Sequence, residues 1–211
     1  VGPLRGKGRM PLQYRHIALD EVQDLTPLEV RVLIDCLDKH RSITLAGDTQ
    51  QHVMADAGFT SWTDFFQRLG VEGVAVDTLK VSYRSSAEIV RFAVNLLGDL
   101  REDEPPLATR AGPNPELFRF TDHGAAVAFL GEALRELLKA EPLASIGVLT
   151  SRRELTHLYY KGLDQAEVPR LREVTNQDFS FAPGVEVTEI DQVKGLEFDY
   201  VILAEVSAKV F

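Results

Sequence analysis

Two adjacent carboxylates, Asp20 and Glu21, come directly after a short apolar run at residues 16–19 that predicts a β-strand. In open parallel sheets, ligands gather at the carboxyl ends of the strands. Hydrolysis of a nucleotide requires one carboxylate to hold Mg²⁺, often through water, and another to orient or deprotonate the attacking water. Neighbouring residues at a strand end point in different directions and can divide these tasks. Taken alone, the pair is equally compatible with a polar turn before a helix.

Three further strings follow in order along the chain. A second predicted strand ends in GDTQQ at residues 47–51, where the neutral amide of Gln51 could sense a γ-phosphate without adding charge. SYRS at residues 82–85 supplies a guanidinium, Arg84, that could stabilise charge on a transferred phosphoryl group. VKGLEFD at residues 193–199 lies between two more predicted strands. Each string is a weak signal by itself, but four in this order are a strong one.

Together the strings resemble the UvrD/Rep family of superfamily 1 helicases, whose pattern runs DExQD, GDxxQ, NYRS and KGLEF. The resemblance spans residues 16–203 and implies ATP and Mg²⁺ as cofactors. It also implies that Asp20 binds Mg²⁺ through water and that Glu21 is the catalytic base. By the same resemblance, Gln51 and Arg84 contact the γ-phosphate, and Tyr83 stacks on the adenine. Gly195 and Glu197 match residues of motif V that border the nucleotide and couple it to DNA.

Apolar runs rich in β-formers alternate with helical patterns, which predicts α/β layers around a parallel sheet. Thr26, with Glu29 three residues later, predicts a helix opened by a capping box. A second capped helix is predicted from Ser61, and a third from Ser85 with Glu88. Further strands are predicted at residues 43–46, 74–81, 117–120, 146–149, 185–190 and 200–203, with helices at about 123–140 and 153–164.

The resemblance implies two RecA-like parallel-sheet units of the P-loop NTPase superfamily. The first, at residues 1–84, would be the incomplete C-terminal part of one ATPase domain and would carry the first three strings. The second, at residues 85–211, would be compact. Only about 100 residues separate Arg84 from the last string, so the large insertion of UvrD and Rep has no room.

The chain also departs from the family pattern. GPLRGKG at residues 2–8 superficially resembles a Walker A loop, but it lacks one spacer residue, has Gly8 in place of the hydroxyl, and follows no strand. The last helicase motif, which supplies a second arginine, is also missing. We therefore expect this chain by itself not to turn over ATP.

Composition limits the class of protein. The 211 residues carry a net charge of −9 and 45% hydrophobic residues, with no apolar run long enough to span a membrane and no secretory signal. The single cysteine, Cys36, cannot form an internal disulfide. These features predict a soluble cytoplasmic protein without a membrane partner. The acidic balance argues against a dedicated nucleic-acid-coating domain, which is usually basic.

The function predicted from the resemblance is ATP-driven translocation on single-stranded DNA. Two departures bear on it: Met54 and Asp56 stand where the family usually has base-stacking aromatics, and Asp191 stands where it often has histidine. Trp62 is predicted to be a core residue rather than a platform for bases. The alternatives are a HelD-like ATPase factor that binds and remodels RNA polymerase, and a degenerate, non-hydrolysing binding module.

Overall fold

The computed structural model describes residues 12–48, 61–71, 73–98 and 106–206. The chain forms two compact units, Val1–Pro115 and Glu116–Phe211. Both are mixtures of helices and parallel strands, as the sequence predicts. The expected division of motor domains between residues 84 and 85 falls inside the first unit and stays a prediction.

The first unit is built on two neighbouring parallel strands. Strand β1 pairs with β2 in a register that places Leu19 opposite Leu45. A second parallel pair, β3 with β4, is only two residues long in each strand. The elements of this unit are β1 (Tyr14–Leu19), α1 (Pro27–Asp35), β2 (Leu37–Leu45), α2 (Trp62–Leu69), β3 (Val81–Ser82), α3 (Ala87–Leu96) and β4 (Leu107–Ala108).

Helices α1 and α2 begin where the sequence predicts. The Thr26 hydroxyl accepts a hydrogen bond from the Glu29 amide, and the Glu29 carboxylate accepts one from the Thr26 amide, which completes the capping box. The Ser61 hydroxyl caps α2 by accepting a hydrogen bond from the Asp64 amide at 3.1 Å. Gly70 ends that helix at φ 67°, a left-handed conformation that glycine adopts without steric cost.

The core of the first unit lies between these helices and the β1–β2 pair. Trp62 packs against this core and stacks on Phe66 with ring centroids 5.6 Å apart, so its predicted structural role is confirmed. The buried apolar residues of this cluster are Val22, Val30, Ile34, Leu37, Phe65 and Leu69.

Two predictions in the first unit are wrong. Residues 74–80 form no strand, and only Val81–Ser82 pairs with a neighbour. Helix α3 is capped by the buried Ser86 rather than by Ser85. The Glu88 carboxylate, expected to close a capping box with Ser85, instead accepts a hydrogen bond from the Gly112 amide at 2.7 Å. A contact with a distant loop therefore displaced the local motif.

The second unit is a four-stranded parallel sheet with the order β6-β7-β5-β8. Strand β5 is central, paired with β7 on one side and β8 on the other. The short strand β6 was not predicted. The elements are α4 (His123–Ala140), β5 (Ser145–Thr150), α5 (Arg153–Gln165), β6 (Leu171–Glu173), β7 (Gly184–Glu189) and β8 (Tyr200–Leu203).

Helices α4 and α5 share one core with this sheet. Five consecutive residues of β5 and five of β7 are buried, and Ile146, Val148, Val185 and Val187 belong to the core shared with the two helices. The strand predicted at residues 117–120 is absent. The aromatic side chains of this segment instead contact Phe129 of α4, so its apolar character reflects packing against a helix.

None of the helices in the described ranges is both long and apolar enough to cross a membrane.

Candidate functional site

The ends of β1 and β2 bring the first two strings together. Beyond the strands, the Ala46 amide donates to the Leu19 carbonyl at 2.8 Å, and the Val22 amide donates to the Ala46 carbonyl at 3.0 Å. The parallel pairing thus continues one step past the last strand residues. It places Asp20 and Glu21 beside Gly47 and Asp48 at the carboxyl edge of the pair.

Glu21 has a left-handed backbone, with φ 51° and ψ 41°. This conformation is uncommon for residues other than glycine and costs roughly 1–2 kcal/mol. Two contacts hold it: the Glu21 carbonyl accepts from the Asp24 amide at 2.9 Å, and the Glu21 carboxylate accepts from the Gln23 side-chain amide at 2.5 Å. Seven other non-glycine residues in the described ranges also have a positive φ, so this conformation by itself does not mark a functional position.

Gln23 is a site residue that the sequence reasoning missed. Its side chain, with only 1% of the residue exposed, donates to Glu21 through Nε2 and accepts from the Asp48 amide through Oε1 at 3.0 Å. It therefore connects the acid pair to the GDTQQ string. The sequence could have indicated this residue by its position in DEVQD, between Glu21 and Asp24.

Asp20 is exposed at the strand end, and its Oδ1 accepts from the Glu21 amide at 2.9 Å. Among the described residues, no cluster of three or more potential ligands could form an all-protein metal site. Mg²⁺ in nucleotide sites is commonly held by one or two carboxylates together with water and substrate phosphates. The exposed carboxylate of Asp20, whose oxygens can act as metal ligands, fits that kind of coordination.

The first unit contains three other predicted site residues, Gln51, Tyr83 and Arg84. Gln51 is outside the described residues. Tyr83 and Arg84 follow directly after β3, with Tyr83 73% exposed. The exposure argues against a packed structural role for this aromatic. The Arg84 carbonyl accepts a hydrogen bond from the Arg110 guanidinium, which fixes the backbone at this point.

In the second unit, the VKGLEFD string begins with a tight turn. The Leu196 amide donates to the Val193 carbonyl at 3.0 Å, Lys194 has φ −55° and ψ 129°, and Gly195 has φ 77°. These angles define a type II turn, whose third residue requires a positive φ. Gly195 is therefore demanded by the backbone, whether or not it borders a nucleotide. Glu197 is exposed after the turn.

The end of the same string is anchored to β5. The Phe198 ring covers Gly147, where an added Cβ would lie 3.1 Å from the ring. The Asp199 carboxylate accepts from both the amide and the hydroxyl of Ser145, at 2.8 and 2.9 Å. These contacts hold the segment that leads from the turn into β8.

The two bonds from Ser145, the backbone one first, lower the pKa of the Asp199 carboxyl. A lowered folded-state pKa adds stability that is present above the ordinary value and lost as the pH falls through the folded value. We expect the stability advantage of the natural chain over Asp199→Asn to be constant near neutrality and to shrink below about pH 4. Denaturant unfolding across pH measures it, with Asp164→Asn, an exposed aspartate of α5, as the control. A difference that stayed constant down to pH 2 would contradict the assignment.

No protein-family model matches the chain. The ATP-dependent DNA helicase UvrD2 of Mycobacterium bovis is 27% identical over 165 residues, covering 74% of this chain. UvrD2 proteins of two Mycobacterium tuberculosis strains match equally. The chain resembles a segment of a UvrD-like helicase. It spans 23% of the length of these relatives.

Proposed function

We propose that the chain is part of the ATP-driven motor of a UvrD-like superfamily 1 helicase or translocase. In this proposal, the motor uses ATP hydrolysis to move on single-stranded DNA, and its units have the RecA-like fold of the P-loop NTPases. The observation that carries the proposal is the junction of β1 and β2, where two strings of the family pattern lie side by side. The similarity to UvrD2 supports the same reading.

The arrangement suits hydrolysis of a phosphoanhydride. In the proposed reaction, Glu21 accepts a proton from water as the water oxygen attacks the γ-phosphorus and the bond to the bridging oxygen breaks, releasing ADP and phosphate. Mg²⁺, held by Asp20 through water, would neutralise charge on the phosphate oxygens. Gln51 and Arg84 would contact the γ-phosphate, and Tyr83 would stack on the adenine.

The second unit contributes motif V in this proposal. Gly195 and Glu197 would border the nucleotide and transmit its state to bound DNA, roles that rest on the resemblance alone.

The full-length gene product provides the test. We expect Mg²⁺-dependent ATP hydrolysis that single-stranded DNA stimulates, together with displacement of a labelled strand or of streptavidin from a biotinylated end. Absence of ATP turnover with and without DNA would overturn the proposed enzyme activity. Turnover that single-stranded DNA leaves unchanged would overturn the translocase assignment and leave an ATPase with another partner.

A further inference from the structure

We propose that Gln23 is a positioning residue that sets the geometry of Glu21 from the backbone of the GDTQQ string. The inference rests on the proposed function, since it assigns Gln23 a part in orienting the proposed base. Each end of the Gln23 side chain makes one hydrogen bond. The Gln23 amide nitrogen donates to Glu21 Oε2 at 2.5 Å, and its oxygen accepts from the Asp48 amide at 3.0 Å.

The chemistry of the partners fixes the orientation of the amide. A backbone N–H only donates, so the atom facing Asp48 must be the oxygen. An ionised carboxylate only accepts, so the atom facing Glu21 must be the nitrogen. Reversing the amide would break both bonds at once. A group with a donor at one end and an acceptor at the other therefore allows a single arrangement here.

Burial makes this arrangement rigid. Gln23 is almost fully enclosed, and a buried amide that loses a partner pays a desolvation cost of about 1–3 kcal/mol. The side chain begins in the 3-10 turn Val22–Asp24, whose first amide is bonded to the Ala46 carbonyl. Both the backbone and the side chain of this turn are thus attached to the strand end opposite.

Gly47 provides the space for this contact. A Cβ built on Gly47 would lie 2.7 Å from Gln23 Oε1 and 2.8 Å from Val22 Cγ1, which real Cβ atoms do not tolerate. A side chain at position 47 would push the glutamine out of its place. The glycine of one string and the glutamine of the other therefore form one device, which ties the Glu21 carboxylate to the backbone of Gly47 and Asp48.

Two substitutions at Gln23 separate its bonds in the full-length gene product. Gln23→Met fills similar space and loses both bonds. Gln23→Glu keeps an oxygen for the Asp48 amide but turns a carboxylate towards Glu21. If Gln23 positions the base, both variants lower the kcat for ATP by about 10- to 100-fold with KM changed less than about threefold, because a misplacement of about 1 Å can cost on the order of 100-fold.

A purely structural role predicts a different result. If Gln23 only satisfied the Asp48 amide, folded Gln23→Met would retain the natural kcat, and that result would overturn the proposal. Val30→Ala, which removes buried volume from the same core without touching Glu21, controls for general destabilisation. It is expected to lower the melting temperature and leave kcat of the folded protein unchanged.

Gly47→Ala tests the same device from the opposite strand and should reproduce the kcat defect. Gly131→Ala is its matched control, since an added Cβ there would also meet a neighbour, Ala166, at 2.7 Å but in the second unit. Natural kcat in a folded Gly47→Ala protein would contradict the device.

Hydrogen exchange separates this inference from the proposed function. Mass spectrometry of peptides that contain the Asp48 amide should show exchange about tenfold faster in Gln23→Met and natural exchange in Gln23→Glu. This readout does not depend on turnover. An inactive natural protein with the expected exchange pattern would overturn the proposed ATPase and leave the link between the strands standing. Unchanged exchange in Gln23→Met would overturn the link itself.

Discussion

Replacing Glu21 by glutamine in the full-length gene product is expected to abolish ATP hydrolysis and leave ATP binding largely intact. The amide keeps the shape of the carboxylate but cannot accept a proton from the attacking water. Loss of a positioned general base typically costs on the order of 10²–10⁴ in rate. Because the new amide can turn its oxygen towards Gln23 Nε2, the local structure should survive the change.

Steady-state hydrolysis and equilibrium binding of a fluorescent ATP analogue measure the two effects separately. Glu132→Gln is a matched control, because it makes the same change on an exposed face of α4 in the other unit. It should leave both quantities at their natural values. Near-normal turnover by purified Glu21→Gln would rule out Glu21 as the base.

The 211-residue chain by itself is expected to bind Mg-ATP with a Kd no better than about millimolar and to hydrolyse it undetectably. Most nucleotide affinity in P-loop proteins comes from backbone N–H groups and a lysine around the β-phosphate. The sequence contains no GxxxxGK[ST] string that could supply them.

The structure adds an electrostatic reason for weak binding. The carboxyl edge of β1 and β2 collects four acidic residues, Asp20, Glu21, Asp24 and Asp48, which should repel a triphosphate. Tyr83 and Arg84 offer favourable contacts worth only a few kcal/mol, less than the entropy of association requires.

Calorimetric titration of the chain with Mg-ATP measures this affinity. A chain with Asp24 and Asp48 both changed to asparagine is the comparison, since it removes two of the four charges and leaves the proposed Mg²⁺ ligand Asp20 in place. It should bind no worse than the natural chain. A micromolar Kd for the natural chain would show an unrecognised phosphate site, and residues 2–8 would be the first place to look.

Local chemistry explains the parts of the fold that the sequence predicts correctly. The capping box at Thr26 and Glu29, and the helix from Ser61 to Gly70, depend on groups within a few residues of one another. Such signals survive folding because their partners are always near. The long helices and central strands of the second unit follow equally well from their periodic apolar faces.

Local patterns failed where a distant group competed for the same atoms. Glu88 is spaced for a capping box with Ser85, yet its carboxylate bonds to the amide of Gly112, 24 residues away. Residues 74–80 include the β-formers Val74 and Val76, but a strand exists only where a neighbour pairs with it, and this stretch has no such ladder in the described structure.

The sequence by itself determined that the acid pair and the GDTQQ string follow strand ends, because residue type and apolar pattern are local properties, but it did not single out Gln23. The tertiary structure decided how those groups are held. Only the parallel pairing of β1 with β2 brings Gly47 and Asp48 against Gln23, 24 and 25 residues away in the chain. The sequence does not show which groups a glutamine amide bonds to. In this buried space the Gln23 amide accepts from the Asp48 N–H and donates to the Glu21 carboxylate.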